Sequence, residues 1–210
     1  MNKGFLVTFE GGEGCGKSTQ IKLFIKFLEE QKLNFILSRE PGGCVLGEKI
    51  RAILLHSKED MSALSEFFLF CANRAEHVKE VIKPALEEGK IVVIDRYYDS
   101  SLAYQGYAGN LDIKKLKDIT AFATDNVVPD LTFLLDISYE EGFGRKAKDE
   151  NLKNLDRIEQ RDRAYHEKVR QGYLKLTKEE PNRFVVIDAS KSLEEIHEEI
   201  IKIFLKRIKK

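Results

Sequence analysis

The sequence predicts an α/β fold, a doubly wound parallel sheet of about five strands flanked by helices. Short β-branched or aromatic runs alternate with longer segments of helical periodicity, the rhythm of βαβ units. A glycine-rich stretch separates the first run from the first helical pattern. Each run also ends at or near a charged residue: Glu10, Arg39 with Glu40, Asp95 with Arg96, Asp136, and Asp188. In open α/β sheets the ligand crevice lies outside those strand ends.

The elements follow in chain order. The strands are FLVTF (5–9), FILS (35–38), IVVI (91–94), LTFLL (131–135) and FVVI (184–187). After the glycine-rich stretch, Ile21, Phe24, Ile25 and Leu28 mark one helical face. Phe70 and Arg74 stand four apart on a predicted helix, so a ring and a guanidinium share a face. Phe67, Phe68 and Leu69 beside them are assigned mainly to packing. The polar segment from Glu140 to Asp156 reads as a mobile lid loop. The last helix carries Leu193, Ile196, Ile200, Ile203 and Phe204 on one face, and Ser192 with Glu195 makes a capping box at its start.

The 210 residues, 42% of them hydrophobic, suffice for one sizeable core, so a single domain over 1–210 is expected. Lys+Arg and Asp+Glu balance at 35 each, leaving no global field to attract nucleic acid or an anionic membrane. The N-terminus lacks a long apolar region, and no stretch approaches the roughly 20 apolar residues that span a bilayer. A cytoplasmic location is expected. Cys15, Cys44 and Cys71 lack CxxC spacing, and the four histidines form no cluster, so neither disulfides nor zinc is indicated.

The chemistry begins at FEGGEGCGKSTQ (9–20), where Gly11, Gly16, Lys17 and Ser18 fit GxxxxGK[ST] between a strand and a helix. The backbone of Gly11, Gly12, Glu13, Gly14, Cys15, Gly16, Lys17, Ser18 and Thr19 is expected to curl around nucleotide phosphates, aided by the helix dipole. Lys17 reaches the outer phosphates. Ser18 is expected to ligate magnesium directly, and Asp95 through a water. Two classes of protein use such a loop: switch or motor NTPases, and phosphoryl-transfer enzymes. A switch GTPase wants an NKxD element, which is missing here. A motor wants a hydrolytic carboxylate after its second acidic strand, whereas Arg96 directly follows Asp95. An arginine there suits an anionic second substrate, and transfer is favoured. Cys15 sits in this electropositive turn, where either an activated thiolate or a small space-filling residue fits the pattern.

REPGG, GEKIR, LFCANRAEH, DRYYDSSLAYQG and LDRIEQ together resemble the bacterial thymidylate kinases, and the likeness spans nearly the whole chain. The resemblance implies a P-loop kinase fold, commonly homodimeric, that phosphorylates dTMP to dTDP for dTTP synthesis, using ATP and Mg2+. It implies that Phe70 stacks on thymine and Arg74 bonds a base carbonyl. Arg51 and Arg96 match the acceptor-phosphate arginines, with Arg39 near them. Ser101, Tyr104 and Gln105 match the nucleoside pocket, Gln105 toward the base and Tyr104 beneath the sugar, where its ring would disfavour a ribose 2′-hydroxyl. Glu13 is expected at a sugar hydroxyl, Glu40 as a pocket organiser, and Pro41 within the same substrate-binding set. An acceptor phosphate needs little help from a general base, so catalysis would be positioning and charge stabilisation by Lys17, Arg96 and a lid arginine.

The lid offers Arg145, Lys146, Lys148 and Arg157. Because the phosphate loop reads GEGCG and holds no arginine, Arg145 is the nominee. This lid carries lysines where many relatives show arginines, and Cys44 stands where REPGGT is common. DASKS (188–192) resembles the family's adenine-side segment. A deoxynucleoside kinase or another nucleoside monophosphate kinase is the alternative within the class.

Overall fold

The computed structural model describes residues 4–148 and 156–208, so part of the expected lid lies outside the described residues, as does the Lys148 side chain. The five strands are β1 (Phe5–Gly11), β2 (Phe35–Arg39), β3 (Ile91–Asp95), β4 (Leu131–Asp136) and β5 (Phe184–Asp188). All pair in parallel, in the order β2-β3-β1-β4-β5. The chain runs from β1 to the edge strand β2, returns through β3 and then crosses β1 to β4 and β5, so the connections diverge between β3 and β1 and open a crevice at their C-terminal ends.

Both faces of the sheet are covered, and this is why its strands read as nearly continuous apolar runs. Successive side chains alternate between faces. Leu6, Val92, Ile94 and Leu134 enter one core with Phe67 and Phe70 of α3 (Ala63–His77) and Tyr173 and Leu176 of α8 (Arg163–Glu179). Val7, Phe9, Val93 and Phe133 enter the other, with Phe24 and Leu28 of α1 (Lys17–Glu30) and Ile200 and Phe204 of α9 (Leu193–Ile208). Phe24 meets Phe204 edge-to-face at 4.9 Å between ring centroids. The capping box forms as read: Glu195 N–H donates to Ser192 Oγ (3.3 Å) and Ser192 N–H to the Glu195 carboxylate (3.0 Å).

The structure corrects several readings. Leu193 and Phe68 are 41% and 51% exposed, so the first lies outside the core stripe and the second packs only in part, one side of its ring against Phe67. Tyr139–Lys148 forms a helix, α7, where a loop was expected. Ser138 and Glu141 cap it, with Glu141 N–H donating to Ser138 Oγ at 3.3 Å, an S-x-x-E signal that the high polarity of the segment obscured. Two of the strand-end carboxylates are structural. Asp136 takes a bidentate pair from Arg170 of α8 (2.7 and 2.8 Å), and Asp188 closes a turn on Ser190.

Candidate active site

The glycine-rich turn adopts the form its sequence requires. Gly16, with φ 82°, is the N-cap of α1, a left-handed conformation that a side chain disfavours. A Cβ on Gly14 would lie 1.9 Å from the Gly142 carbonyl oxygen, so the turn touches α7 backbone to backbone. Lys17 is buried and ion-pairs with Asp95 at the end of β3. Ser18 and Thr19 are exposed in the first turn of α1. Cys15 is 2% exposed in the apolar core. Burial pushes its thiol pKa up, outweighing Lys17 and Arg96, so the space-filling reading holds and the activated-thiolate one does not.

A cleft of about 390 Å³ opens at the C-terminal ends of β1, β2 and β3. It brings together Glu13, Lys17 and Ser18 from the turn, Arg39, Glu40 and Pro41 after β2, and Arg51 from α2 (Val45–His56). Phe70 and Arg74 enter from α3, and Asp95, Arg96, Ser101, Tyr104 and Gln105 from the end of β3 and the segment beyond it. That segment is α5 (Tyr98–Ser101) running into a π-helical stretch, Leu102–Ala108. The widened helix turns Ser101, Tyr104 and Gln105 toward one cavity, a common use of π-turns.

The cleft is cationic at one end and neutral at the other. Burial and the neighbouring Arg39 lower the pKa of Arg51, whose Nη1 donates to the Pro41 carbonyl (2.7 Å). Arg96 holds φ 64°, which a side chain rarely adopts. It donates from Nη1 to the Gly11 carbonyl (2.9 Å) and from Nη2 to Glu13 (2.8 Å). Burial raises the Glu13 pKa, but Arg96, Lys17 and Lys146 outweigh it and hold it down at about 2. Tyr104 Oη also donates to Glu13, at 3.1 Å.

Behind Arg96 lies a group that sequence reasoning noted only as a strand-end charge. Glu10 is fully buried and accepts from Tyr97 N–H (2.7 Å), Ser100 Oγ (2.6 Å) and Tyr173 Oη (2.9 Å). Both hydroxyls also lie near Arg96 Nη1, at 3.4 and 3.3 Å. Burial and Asp99 raise the Glu10 pKa to about 7.

At the neutral end, Arg74 is 1% exposed and donates from Nε to Glu40 (2.8 Å) and from Nη2 to Ser101 (3.2 Å). Glu40 spends its other oxygen on His77 Nδ1 (3.0 Å). Arg74 Nη1 and Gln105 Oε1 are buried with no hydrogen-bond partner among the described residues. Both belong to residues that line the cleft together with Phe70, and a buried donor and acceptor without partners call for a ligand. Sequence reasoning missed Glu66, His77, Ser100, Tyr173 and Glu159. Glu66 could have been found, because 66, 70 and 74 form one helical stripe.

Gly11, Gly12, Gly14, Cys15, Gly16 and Thr19 of the turn do not line this cleft, and neither does Arg145, the arginine expected in catalysis. Its Nη1 donates to the Ala189 carbonyl (2.9 Å) in the segment after β5, so it faces the 188–192 side. α7 instead points Lys146 inward, buried, ion-paired with Glu159 and 4.0 Å from Glu13. Arg157 is bound to Glu66 (2.6 Å) and the Leu54 carbonyl (3.0 Å).

The family profile described as thymidylate kinase matches residues 9–200. The thymidylate kinase of a Thermoanaerobacter species is 46% identical over 204 residues, covering 97% of this chain and 98% of the relative. That of Lactobacillus acidophilus is 45% identical over 210 residues, covering 99% and 97%. Among solved structures, the crystal structure of thymidylate kinase from Ehrlichia chaffeensis superposes with a TM-score of 0.79. It is 33% identical, with 97% of this chain and 99% of that one covered.

Proposed function

The chain belongs to the thymidylate kinase family, and from that premise we propose that its cleft transfers the γ-phosphoryl group of ATP to dTMP, giving dTDP. The observation that carries this reading is an unpaired donor on Arg74 and an unpaired acceptor on Gln105, two residues lining one cleft. Together they complement O4 and N3–H of thymine, with Phe70 available to stack on the ring. From the base, the cleft extends to Arg51 and Arg96, whose forked donors suit the acceptor phosphate.

Each residue then has a role. Lys17 and Arg96 neutralise charge on the phosphates as they pass into the transition state, where positioning and electrostatics supply most of the catalysis. Glu10, acting through Ser100 and Tyr173, holds Arg96 in its strained conformation. Arg145 acts from the donor side, beside the 188–192 segment. Ser18 and Asp95 offer one hydroxyl and one carboxylate to the cleft. That sparse oxygen set fits Mg2+, which keeps several waters and takes phosphate oxygens as further ligands. When bound, Mg2+ neutralises phosphate charge and orients the donor.

The nucleoside-kinase alternative needs a general base. Glu40 is committed to Arg74 and His77, and Glu13, held down at about 2 by Arg96, Lys17 and Lys146, is too weak a base to take a hydroxyl proton near neutrality. Both observations favour a phosphorylated acceptor. A homodimer is part of the proposal. Leu46 and Ile53 of α2, Leu64 and Phe68 of α3, and Phe122 of α6 (Ile113–Ala123) are 45 to 89% exposed on helices packed side by side, a surface suited to a second copy. No helix among the described residues is long and apolar enough to cross a membrane, and we place the enzyme in the cytoplasm.

A coupled ADP-release assay against dTMP, dUMP, UMP, dCMP and thymidine tests the reading. dTMP is expected as the preferred acceptor. Turnover of thymidine but not dTMP, or ADP release that no acceptor alters, would overturn it.

A further inference from the structure

Glu66 lies on α3 one turn before Phe70, 1% exposed. Its Oε1 accepts from Arg157 Nη1 (2.6 Å) and Arg161 Nη2 (2.8 Å), and its Oε2 from Gln105 Nε2 (3.0 Å). We propose that Glu66 is a positioning residue for pyrimidine choice: it fixes which end of the Gln105 amide faces the base. The inference rests on the reading of this cleft as a thymine site.

The reason lies in the donor and acceptor inventory of the three groups. A carboxylate held by two guanidiniums accepts and cannot donate, so only the NH2 end of Gln105 can face it. The carbonyl end is thereby turned away from Glu66, and its Oε1 is buried without a partner, as is Nη1 of Arg74, the two residues lining the same cleft. An acceptor next to a donor matches thymine or uracil, whose N3–H donates and whose O4 accepts. Cytosine reverses both, with an acceptor at N3 and an amino group at C4. It would set acceptor against acceptor and donor against donor, leaving buried polar groups unpaired. A neutral side chain at 66 would let the amide turn over and offer its NH2 to cytosine N3. Arg74 would still oppose the amino group, so the relaxation would be partial. Arg157 and Arg161 both follow the expected lid, so one carboxylate joins the residues just after it to the base-reading amide.

The test is the ratio of kcat/KM for dTMP to that for dCMP in the full-length protein and three variants, with Tm measured alongside. Glu66→Gln is expected to lower the ratio by about tenfold or more. Glu66→Asp keeps a negative partner for both arginines but withdraws its oxygen from Gln105, and lowers the ratio even if Glu66→Gln does not fold. Arg161→Ala leaves the acceptor-only carboxylate in place and is expected to keep the ratio within about twofold while Tm falls. An unchanged ratio in either folded Glu66 variant overturns the inference, as does an equal collapse in Arg161→Ala. Parent protein that turns over neither nucleotide would strike the thymidylate reading itself, a result distinct from a parent with high selectivity that Glu66 does not control.

Discussion

Replacing Glu40 with glutamine removes the countercharge from a cation that is almost wholly buried. Arg74 and Glu40 side chains are 1% and 2% exposed, and their contact is 2.8 Å. Burial disfavours the Arg74 charge, and Glu40 more than restores it, leaving the guanidinium pKa raised. Removing one partner of such a pair costs about 3–5 kcal/mol, because the other charge stays buried and uncompensated. At about 2.1 cal/mol/K per residue, a chain of this length unfolds with an entropy near 440 cal/mol/K, so the loss corresponds to a fall in Tm of roughly 7–11 °C. The same change frees the guanidinium to rotate away from the base, and losing a charge-assisted contact raises KM for dTMP by about tenfold to a hundredfold. kcat should change by less than about threefold, since Lys17 and Arg96 are untouched. Differential scanning calorimetry and steady-state kinetics on the same preparation read both effects. A folded Glu40→Gln protein with Tm lowered by less than about 2 °C and an unchanged KM would refute the account of how Arg74 is held.

Lys17→Ala is expected to abolish transfer while dTMP binding, measured by calorimetry, largely survives, because the acceptor is held from α2, α3 and the segment after β3; equal loss of dTMP affinity would contradict this. Arg145→Ala is expected to raise KM for ATP by about tenfold, the worth of one charged contact, with a smaller effect on kcat. A fall in kcat of a hundredfold or more at unchanged KM would instead put its charge on the transferring group. Maleimide should label Cys44, which is partly exposed, before Cys15 and Cys71, which are buried; early labelling of Cys15 on peptide mapping would restore the reactive thiolate. Glu10 titrates near 7 in the folded chain against an ordinary 4.5. Between those values the native state holds the proton that the unfolded state has released, so its contribution falls as pH rises, by at most roughly 3 kcal/mol. The Tm of Glu10→Gln relative to the parent should therefore climb from pH 5 to pH 8, and a difference independent of pH would exclude this origin.

Much of the fold was legible because the signals that specify it are local. Apolar runs bounded by charge located every strand to within two residues, since the three central strands are buried on both faces and even the edge strands β2 and β5 stay largely apolar. The GxxxxGK[ST] spacing located the phosphate turn because the backbone geometry itself demands glycine, as at Gly16. Local signals were misread where polarity masked them. Ser138 and Glu141 cap α7 inside a segment whose charge suggested a loop.

The sequence by itself determined the sheet, the phosphate turn and the stripe of residues that could meet a base, because propensity, periodicity and turn chemistry act between neighbours in the chain. Only the tertiary structure decided which charges are spent on one another. Asp136 belongs to Arg170, Glu40 to Arg74 and His77, and Arg145 to the Ala189 carbonyl. These pairings join residues 34 to 44 positions apart, and those of Glu10 with Tyr173 and of Glu66 with Arg161 span 163 and 95. No periodicity encodes such distances. Burial makes each unpaired group costly, and the packing of the helices on the sheet determines which partner is within reach. Among the buried atoms left without a partner, Arg74 Nη1 and Gln105 Oε1 belong to residues that line the cleft together with Phe70, and they are the groups left for a ligand.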